Sequence, residues 1–368
     1  MHPLYYMHLL SAAALGQCPP LSPRRDLPRG ANDLRPDDVD LVLALGDSVT
    51  VGFGMEEGPA EYRGRSFSAG GDPGVTTLPN LLRTHGHNTK VRGFSLGVRP
   101  GIHTSDEGCR SDNASICGLN AAVDGASVAR LLPQIGYLSA RLRGQEDKWK
   151  IATVFSGLAD VVFSADSSRL PTSPESFREA FRRFLQELKT ELGGRLFLNV
   201  IGLPQRLRSA EAVVAAHQSC RLFHAASQAP WSPIRWTPST TWPSTAEAYN
   251  TILSEEVATH QAVRGPDDVF VAYHEFMRDV ELKDELLEHL DCFHPNALFS
   301  GRLAVALWNS MLGSEQSTTI NFTAPAACPT ERTRLGKSLV HEEEEGSLVA
   351  AIGTSKPQNS TKLRSRLG

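Results

Sequence analysis

Short apolar runs alternate with longer stretches of helical periodicity along most of this chain, and that alternation limits the fold more than any other feature. The apolar runs, interpreted as strands, are residues 41–45, 90–96, 150–155, 195–201 and 268–273. The helical stretches are residues 75–84, 127–142, 173–192, a stretch after Ser209, 245–263 and 296–312. Parallel strands need crossover connections of this kind, and such crossovers are almost always right-handed. We therefore predict one doubly wound α/β domain over residues 40–330.

The first apolar run ends in residues that suit a reactive site. Residues 41–45 read LVLAL, which is typical of a strand buried on both faces, and Gly46, Asp47 and Ser48 follow at once. In open α/β sheets, ligands bind just beyond the carboxyl ends of the strands. Ser48 is therefore a candidate nucleophile. The alternative is an ordinary turn in which Asp47 or Ser48 only caps a helix.

A base for such a serine is present in the sequence DCFHP, which contains Asp291 and His294 just before the last predicted helix. A serine nucleophile needs a base that removes its proton and an acidic residue that orients the base. Asp and His three residues apart can lie on one side of a single turn, with Pro295 near the first helical position. A purely structural role for this common spacing is the alternative. His274, which follows the fifth predicted strand, is a reserve base.

Acyl transfer also requires hydrogen-bond donors for the oxyanion that develops on the carbonyl group. The backbone amide of Ser48 is one candidate donor. The amide of Gly125 is another, because Gly125 lies in a small-residue turn and has no side chain to prevent close approach. The alternative for Gly125 is a glycine that only allows the turn to close.

A metal site is not predicted. His85 and His87 form an H-x-H pair in a Gly- and Asn-containing turn, but no third ligand follows at a recognisable spacing. The sequence has no Cys-x-x-Cys pair and no Cys/His cluster at zinc spacing. We therefore expect the protein to use no cofactor.

Charge and composition exclude some classes of partner. The 368 residues carry a formal net charge of −4 and a pI near 6.3 without a long basic run, so nucleic-acid binding is not expected. The hydrophobic fraction of 40% is that of an ordinary globular domain. No stretch reaches about eighteen consecutive apolar residues, so no transmembrane segment is predicted in this chain.

Three features favour a secreted or extracellular protein. Residues 1–17 contain a short apolar stretch that ends in small residues, as a signal peptide does, although no Lys or Arg precedes it and a fragmentary N-terminus is the alternative. The six cysteines are an even number, and Cys109 with Cys117 is the favoured disulfide because these two bracket a short polar loop. Sequons for N-glycosylation begin at Asn113, Asn321 and Asn359.

Two flanking segments differ from the domain in composition. Residues 18–39 are rich in Pro and charged residues, and we interpret them as an extended lead-in to the first strand. Residues 331–368 are polar, with four consecutive Glu residues and a basic end. This composition predicts a disordered tail.

Three short blocks occur in an order that resembles the GDSL (SGNH) hydrolases. They are GDSVTxG from Gly46, NxAxxG from Asn120 and DxxH from Asp291. Longer segments resemble the phospholipase B branch of that family, and these are residues 62–72, 76–80, 149–151 and 306–309.

The resemblance implies a flavodoxin-like three-layer α/β/α sandwich with a central, mostly parallel sheet. It also implies a metal-free serine esterase of the phospholipase B, lysophospholipase or lipase type. By the matched motifs, Ser48 is the nucleophile, His294 the general base and Asp291 its orienting partner. The amides of Ser48 and Gly125 are then the oxyanion donors. The expected partner is a lipid or phospholipid substrate, with peripheral contact to a membrane surface.

One block departs from the family pattern. Where the family has Gly-x-Asn-Asp, with the Asn side chain as a third oxyanion donor, this chain has GLAD, so that Ala159 occupies the Asn position. Loss of one such donor costs about 10²–10³ in rate, or about 3–4 kcal/mol. Two hypotheses follow. The protein is either a weakened esterase or a catalytically silent protein that keeps the cleft to bind a lipid or another protein.

Overall fold

A central sheet of four parallel strands organises the domain in the computed structural model. The strands lie in the order β1 (Leu41–Gly46), β2 (Lys150–Phe155), β3 (Leu196–Ile201) and β4 (Phe270–His274). The structure describes residues 18–56, 58–101, 103, 114–163, 173–206, 217–227, 242–263, 269–289, 291–313 and 317–336. Every residue of the first three strands is buried, because helices cover both faces of the sheet.

Helices form the two outer layers. They are α1 (Ser48–Val51), α2 (Leu78–Thr84), α3 (Ala114–Cys117), α4 (Leu131–Leu142), α5 (Leu158–Phe163), α6 (Pro174–Leu192), α7 (Gln218–Ser227), α8 (Trp242–Val263) and α9 (Ala297–Met311). Helices α4, α6 and α8 pack side by side, and α2 packs against α9. The rings of Phe177 and Tyr249 stack between α6 and α8 with their centroids 4.0 Å apart. The three-layer α/β/α fold is confirmed.

The predicted strand at residues 90–96 is wrong as a regular strand. Arg92 makes an isolated parallel bridge to Leu41, and Gly93 then takes a positive φ of 91°, which turns the chain away from β1. Asn120 forms the next bridge on the same edge, to Ala44. Two short segments therefore share the edge beside β1. If these two segments are counted as one additional strand, the sheet has the order edge, β1, β2, β3, β4. This is the flavodoxin-like order, in which the direction of the strand order reverses at β1 and ligands bind beyond the end of that strand.

The predicted helix bounds shift by a few residues. A 3-10 turn, Val128–Arg130, precedes α4, and α9 begins after its N-cap Asn296, whose side chain accepts a hydrogen bond from the Phe299 amide. Helix α8 begins at Trp242 rather than at residue 245, so it includes the end of the loop predicted at residues 230–243. The rest of that loop, and the beginning of the helical stretch predicted after Ser209, lie outside the described residues.

The segments that flank the sheet domain pack against it. The lead-in contains two 3-10 turns, and a disulfide joins Cys18 to Cys328 with the Cα atoms 5.3 Å apart. The Leu335 amide donates a 2.9 Å hydrogen bond to the carbonyl of Leu34, and both side chains are fully buried. The packed chain thus continues to residue 336, past the predicted boundary at 330. Residues 1–17 and 337–368 lie outside the described residues.

A second disulfide joins Cys220 to Cys292, with the Cα atoms 5.9 Å apart. Cys117 is also disulfide-bonded, but Cys109 lies outside the described residues, so the Cys109–Cys117 pair stays a prediction. Among the helices of the described part of the chain, none is both long and apolar enough to cross a membrane.

Candidate active site

The chain leaves β1 through a turn that only glycine fits. Gly46 has a φ of 146°, and a Cβ atom there would lie 2.2 Å from the carbonyl oxygen of Phe155. The side-chain amide of Gln134 on α4 binds both backbone polar groups of Gly46. It accepts a hydrogen bond from the Gly46 amide and donates one to the Gly46 carbonyl, each 2.8 Å long. These contacts fix the direction in which the next residues leave the sheet.

Ser48 is the first residue of α1, directly after that turn. The preceding Asp47 is the N-cap, and its Oδ1 accepts a 3.2 Å hydrogen bond from the Val49 amide. Capping therefore falls to Asp47. Ser48 is 7% exposed, and its side chain faces a small cleft. The short helix ends at Gly52, which adopts a left-handed conformation.

The Asp291 and His294 side chains meet in a buried turn before α9. His294 Nδ1 lies 2.5 Å from Asp291 Oδ2. The other carboxylate oxygen, Oδ1, accepts 2.9 Å hydrogen bonds from the amides of Phe293 and His294. Both Asp291 and His294 are 1% exposed. The turn itself thus creates the contact that the three-residue spacing predicts.

The electrostatics of this pair favour an ionised aspartate and a basic histidine. Burial raises the pKa of Asp291. The charge of His294 and the hydrogen bonds from His294 and Phe293 together outweigh that effect, so the pKa lies below its ordinary value. Burial lowers the pKa of His294, whereas Asp291 and, more weakly, Asp124 and Asp47 raise it above 6.5. An ionised carboxylate only accepts, so Nδ1 carries the proton and Nε2 is the acceptor.

Several contacts outside the predicted set hold this turn. Glu288 Oε2 accepts a 3.1 Å hydrogen bond from the Asp291 amide, and the Glu288 amide donates a 2.8 Å bond to the His294 carbonyl. Cys292 adopts a positive φ of 52° between the two residues of the pair, and its disulfide to Cys220 anchors it to α7. The edge of the Phe53 ring packs on the His294 ring, with centroids 4.9 Å apart.

A buried arginine orders the segment before Gly125. Arg63 is fully buried and pairs with Glu61 at 2.6 Å. Its guanidinium also donates to the carbonyls of Asn120 and Ala122, at 3.0 and 2.9 Å. Sequence reasoning missed Arg63, although it lies in the segment at residues 62–72 that resembles the phospholipase B branch. It also missed Gln134, since nothing local marks a helical glutamine that bonds to a distant strand end.

Gly125 and Ala159 both line the cleft and come from different segments of the chain. Gly125 has a φ of 68°, and a Cβ atom there would meet nothing within 4 Å. Ala159 belongs to α5. Asp160, next to Ala159, links the two segments, because its Oδ2 accepts a 2.9 Å hydrogen bond from the Val128 amide. Burial raises the pKa of Asp160 to about 7.

The cleft brings four of the five predicted site residues together, with Asp291 behind His294. Its volume is about 20 Å³, which is room for about one water molecule. Its walls are formed by Asp47, Ser48, Asp124, Gly125, Leu158, Ala159, Val162, Phe293 and His294. A serine hydroxyl, a basic imidazole and a backbone turn therefore share one small space, as acyl transfer requires.

The other candidate histidines lie in different settings. His274 is buried between Asn199 and Ser310, which contact its Nε2 at 2.8 Å and its Nδ1 at 2.7 Å. Burial lowers its pKa to about 4. Both ring nitrogens of His274 are engaged and the ring is uncharged at neutral pH. His274 is therefore a structural residue and not a base for Ser48.

His85 and His87 do not converge on a shared ligand. His85 Nδ1 lies 2.9 Å from Thr84 Oγ1, whereas His87 Nε2 lies 2.8 Å from the Cys18 carbonyl oxygen. Across the described residues, no cluster of three or more His, Cys, Asp or Glu side chains could hold a metal ion.

Residues 42–306 match the GDSL-like lipase/acylhydrolase family. The chain belongs to this family. Human membrane-associated phospholipase B1 is 31% identical over 340 residues, covering 84% of this chain and 22% of the human protein. The mouse protein of the same name is 30% identical and covers 85% of this chain. The rat protein is 28% identical and covers 94%.

This chain spans about a quarter or less of the length of these relatives, with 22%, 22% and 25% of the human, mouse and rat proteins covered. Among solved structures, it is similar to a candidate GDSL-like lipase from Parabacteroides merdae, at 12% identity and a TM-score of 0.35, covering 75% of this chain and 95% of the other.

Proposed function

We propose that this protein is a serine esterase of the phospholipase B, lysophospholipase or lipase type. The observation that carries the proposal is the arrangement of Ser48 and His294 in one cleft, with His294 held by the buried Asp291 carboxylate at 2.5 Å. An esterase needs a hydroxyl nucleophile, a base that is neutral at working pH and a group that fixes its tautomer. Membership of the GDSL-like lipase/acylhydrolase family supports this reading.

The reaction proceeds through an acyl-enzyme. Ser48 Oγ attacks the acyl carbonyl while His294 Nε2 takes the hydroxyl proton, and Asp291 stabilises the imidazolium that forms. The imidazolium then returns the proton to the leaving alcohol. Water, activated by His294, releases the fatty acid and regenerates Ser48.

The oxyanion is stabilised by the amides of Ser48 and Gly125. The family's third donor, an Asn side chain, is replaced by Ala159, which has no polar atom. The rate is therefore lower than that of a complete site by about 10²–10³, because one donor is worth about that factor.

The substrate is an acyl ester of a lipid or phospholipid. The relatives are named phospholipase B1, and the apolar side chains of Leu158, Val162 and Phe293 border the cleft, which has room for a reacting carbonyl group rather than for a whole acyl chain. Contact with a lipid surface is peripheral. The disulfides and the exposed sequon residue Asn321 support a secreted glycoprotein.

Fatty-acid release from a lysophospholipid and from a short-chain nitrophenyl ester tests this proposal. The wild-type protein is expected to hydrolyse at least one of them. Ser48→Ala should abolish turnover without changing the far-ultraviolet circular dichroism spectrum. Turnover that persists in Ser48→Ala would refute the assignment of the nucleophile.

A second candidate is a catalytically silent protein that uses the cleft to bind a lipid or a protein partner. Ala159 is the observation that favours it. This reading predicts lipid binding that is unaffected by Ser48→Ala, together with no ester turnover by the wild-type protein.

A further inference from the structure

Asp124 is a buried carboxyl group that the mechanism above does not use. It is 2% exposed and lies next to Gly125 in the wall of the cleft that contains Ser48 and His294. Among the residues that the structure describes, neither of its carboxyl oxygens has a hydrogen-bond partner. A buried polar group in this state is strongly destabilised unless a proton or a ligand compensates it.

The other described carboxyl groups near the cleft each accept at least one hydrogen bond. Asp47 caps α1 through its Oδ1, and Asp160 accepts a hydrogen bond from Val128. Asp291 is fully bonded to its own turn. Asp47 keeps one oxygen, Oδ2, without a hydrogen-bond partner, whereas neither oxygen of Asp124 has one. Among the described carboxyl groups of the cleft wall, Asp124 is therefore the one that no hydrogen bond of its own fixes in place.

Four titratable groups surround Asp124. Burial is the largest influence on it and raises its pKa; His294 opposes this rise, whereas Glu61 and Asp291 add to it. Asp47 is a further carboxyl group coupled to Asp124. The result is a pKa of about 6 for Asp124. A neutral carboxyl group carries an O–H donor, which the carboxylate lacks.

The position of Asp124 matches a deficiency of the site. Gly125 and Ala159 both line the cleft, and Ala159 contributes no donor where the family has an Asn side chain. Asp124 adjoins Gly125, whose amide is one of the proposed oxyanion donors. A weak contact from the same amide lowers the pKa of the Asp124 carboxyl group, but its geometry is not that of a regular hydrogen bond. A neutral carboxylic acid held in an apolar site can act as an oxyanion donor, as it does in ketosteroid isomerase.

We propose that the protonated carboxyl group of Asp124 donates the third hydrogen bond to the oxyanion, in place of the side chain that Ala159 lacks. The inference rests on the proposed esterase function. Asp124 keeps its proton throughout, while the proton of Ser48 moves separately to His294. No additional co-reactant is needed.

This role has a consequence for pH dependence. Turnover requires Asp124 to be protonated and His294 to be neutral at the same time. Because the pKa of Asp124 is about 6 and that of His294 is raised above 6.5, few molecules satisfy both conditions. The profile of kcat/KM against pH is therefore a low bell whose limbs belong to the coupled pair.

Three variants separate a donor from a merely structural or repulsive carboxyl group. Asp124→Asn supplies a permanent amide donor, so it should lose the alkaline limb. At pH 8, about 1% of a group with a pKa near 6 is protonated, so the variant should be roughly 10²-fold faster than the wild type. Asp124→Ala should be slower than the wild type at pH 6 by about 10²-fold. Adding Ala159→Asn to Asp124→Ala should restore activity, because the family's donor is then present.

An alkylboronic acid gives a readout that does not need turnover. Ser48 Oγ bonds to boron, its proton passes to His294, and the anionic adduct places a boron hydroxyl where the oxyanion forms. The affinity of the wild-type protein for the boronic acid should decrease as pH rises well above 6, because Asp124 loses its proton. The affinity of Asp124→Asn should not decrease in this range. If ester hydrolysis is absent but this pattern holds, the proposed function fails and the donor role stands.

Other outcomes overturn the donor role. Asp124→Ala that binds boronate or turns over ester at least as well as the wild type would mean that the carboxyl group only repels the oxyanion. Absence of an alkaline limb in the wild-type profile, or of boronate binding at any pH, would contradict the role regardless of how the variants fold.

Discussion

The carboxylate of Asp291 and the imidazole of His294 share a buried 2.5 Å hydrogen bond within a single turn of the chain. The same carboxylate binds two backbone amides of that turn, so orientation of the histidine and folding of the loop depend on one side chain. The pair follows from the sequence spacing, but its rigidity comes from contacts made around it.

Replacing Asp291 with Asn should reduce kcat/KM by about 10³–10⁴-fold, because an amide that donates to Nδ1 selects the wrong imidazole tautomer. KM should change much less than kcat. Glu285→Gln, an exposed change on the same segment, is the matched control and should leave the rate as it is. Full activity in Asp291→Asn would contradict the orienting role.

Replacing Ala159 with Asn should raise kcat by about 10²–10³-fold at pH 8, where Asp124, with a pKa of about 6, is ionised and the site has no third oxyanion donor. Ala159→Leu has a similar branched shape without a polar group and is the control for changes in packing. Initial rates on a nitrophenyl ester provide the measurement. No gain in Ala159→Asn, with the fold intact, would favour the silent binding protein.

The acid limb of the Asp124→Asn pH profile should report His294, because in this variant the limb is no longer shared with the Asp124 carboxyl group. The pKa of this histidine is raised above 6.5, chiefly by Asp291 against the opposing effect of burial. Since the base must be neutral to accept the Ser48 proton, kcat/KM should fall as pH decreases through that raised pKa. An uncharged ester is the appropriate substrate. Activity that is constant down to about pH 5 would exclude His294 as the base, because such a base has to be deprotonated.

The two disulfides should differ in what they support. Removing the Cys220–Cys292 bond by two Ala substitutions should lower kcat/KM by about tenfold or more, because small displacements of a catalytic loop are costly in rate. Removing Cys18–Cys328 should lower the free energy of unfolding by about 2–5 kcal/mol with little effect on kcat/KM. Denaturant titration and initial rates distinguish them. Equal effects of both on rate would oppose a specific role for the Cys292 anchor.

The sequence predicts best where one local rule decides the structure. The continuous apolar runs of β1 and β2 could be predicted because a strand buried on both faces has no polar face. The segment at residues 90–96 could not, since Gly93 alone redirects it. The polar neighbours of Leu335 predict a disordered tail, yet its amide bonds to the carbonyl of Leu34 near the other end of the described chain.

The candidate site divides in the same way. Ser48, Asp291 and His294 could be found from motif and spacing. Gln134 and Arg63 could not, because each acts through hydrogen bonds to backbone groups that are distant in sequence. Asp124 lies inside a recognised block, but its importance depends on burial without a partner, which only the packed structure reveals.

The central claim is that Ser48 is a nucleophile activated by His294, and labelling by a fluorophosphonate probe tests it most directly. Attack on phosphorus needs the serine and its base but not completed ester turnover, so a slow site can still react. The account predicts covalent labelling of the wild-type protein at Ser48, strong reduction in His294→Ala and none in Ser48→Ala. Folded wild-type protein that stays unlabelled beside a reactive control esterase, or label that persists in Ser48→Ala, would contradict it.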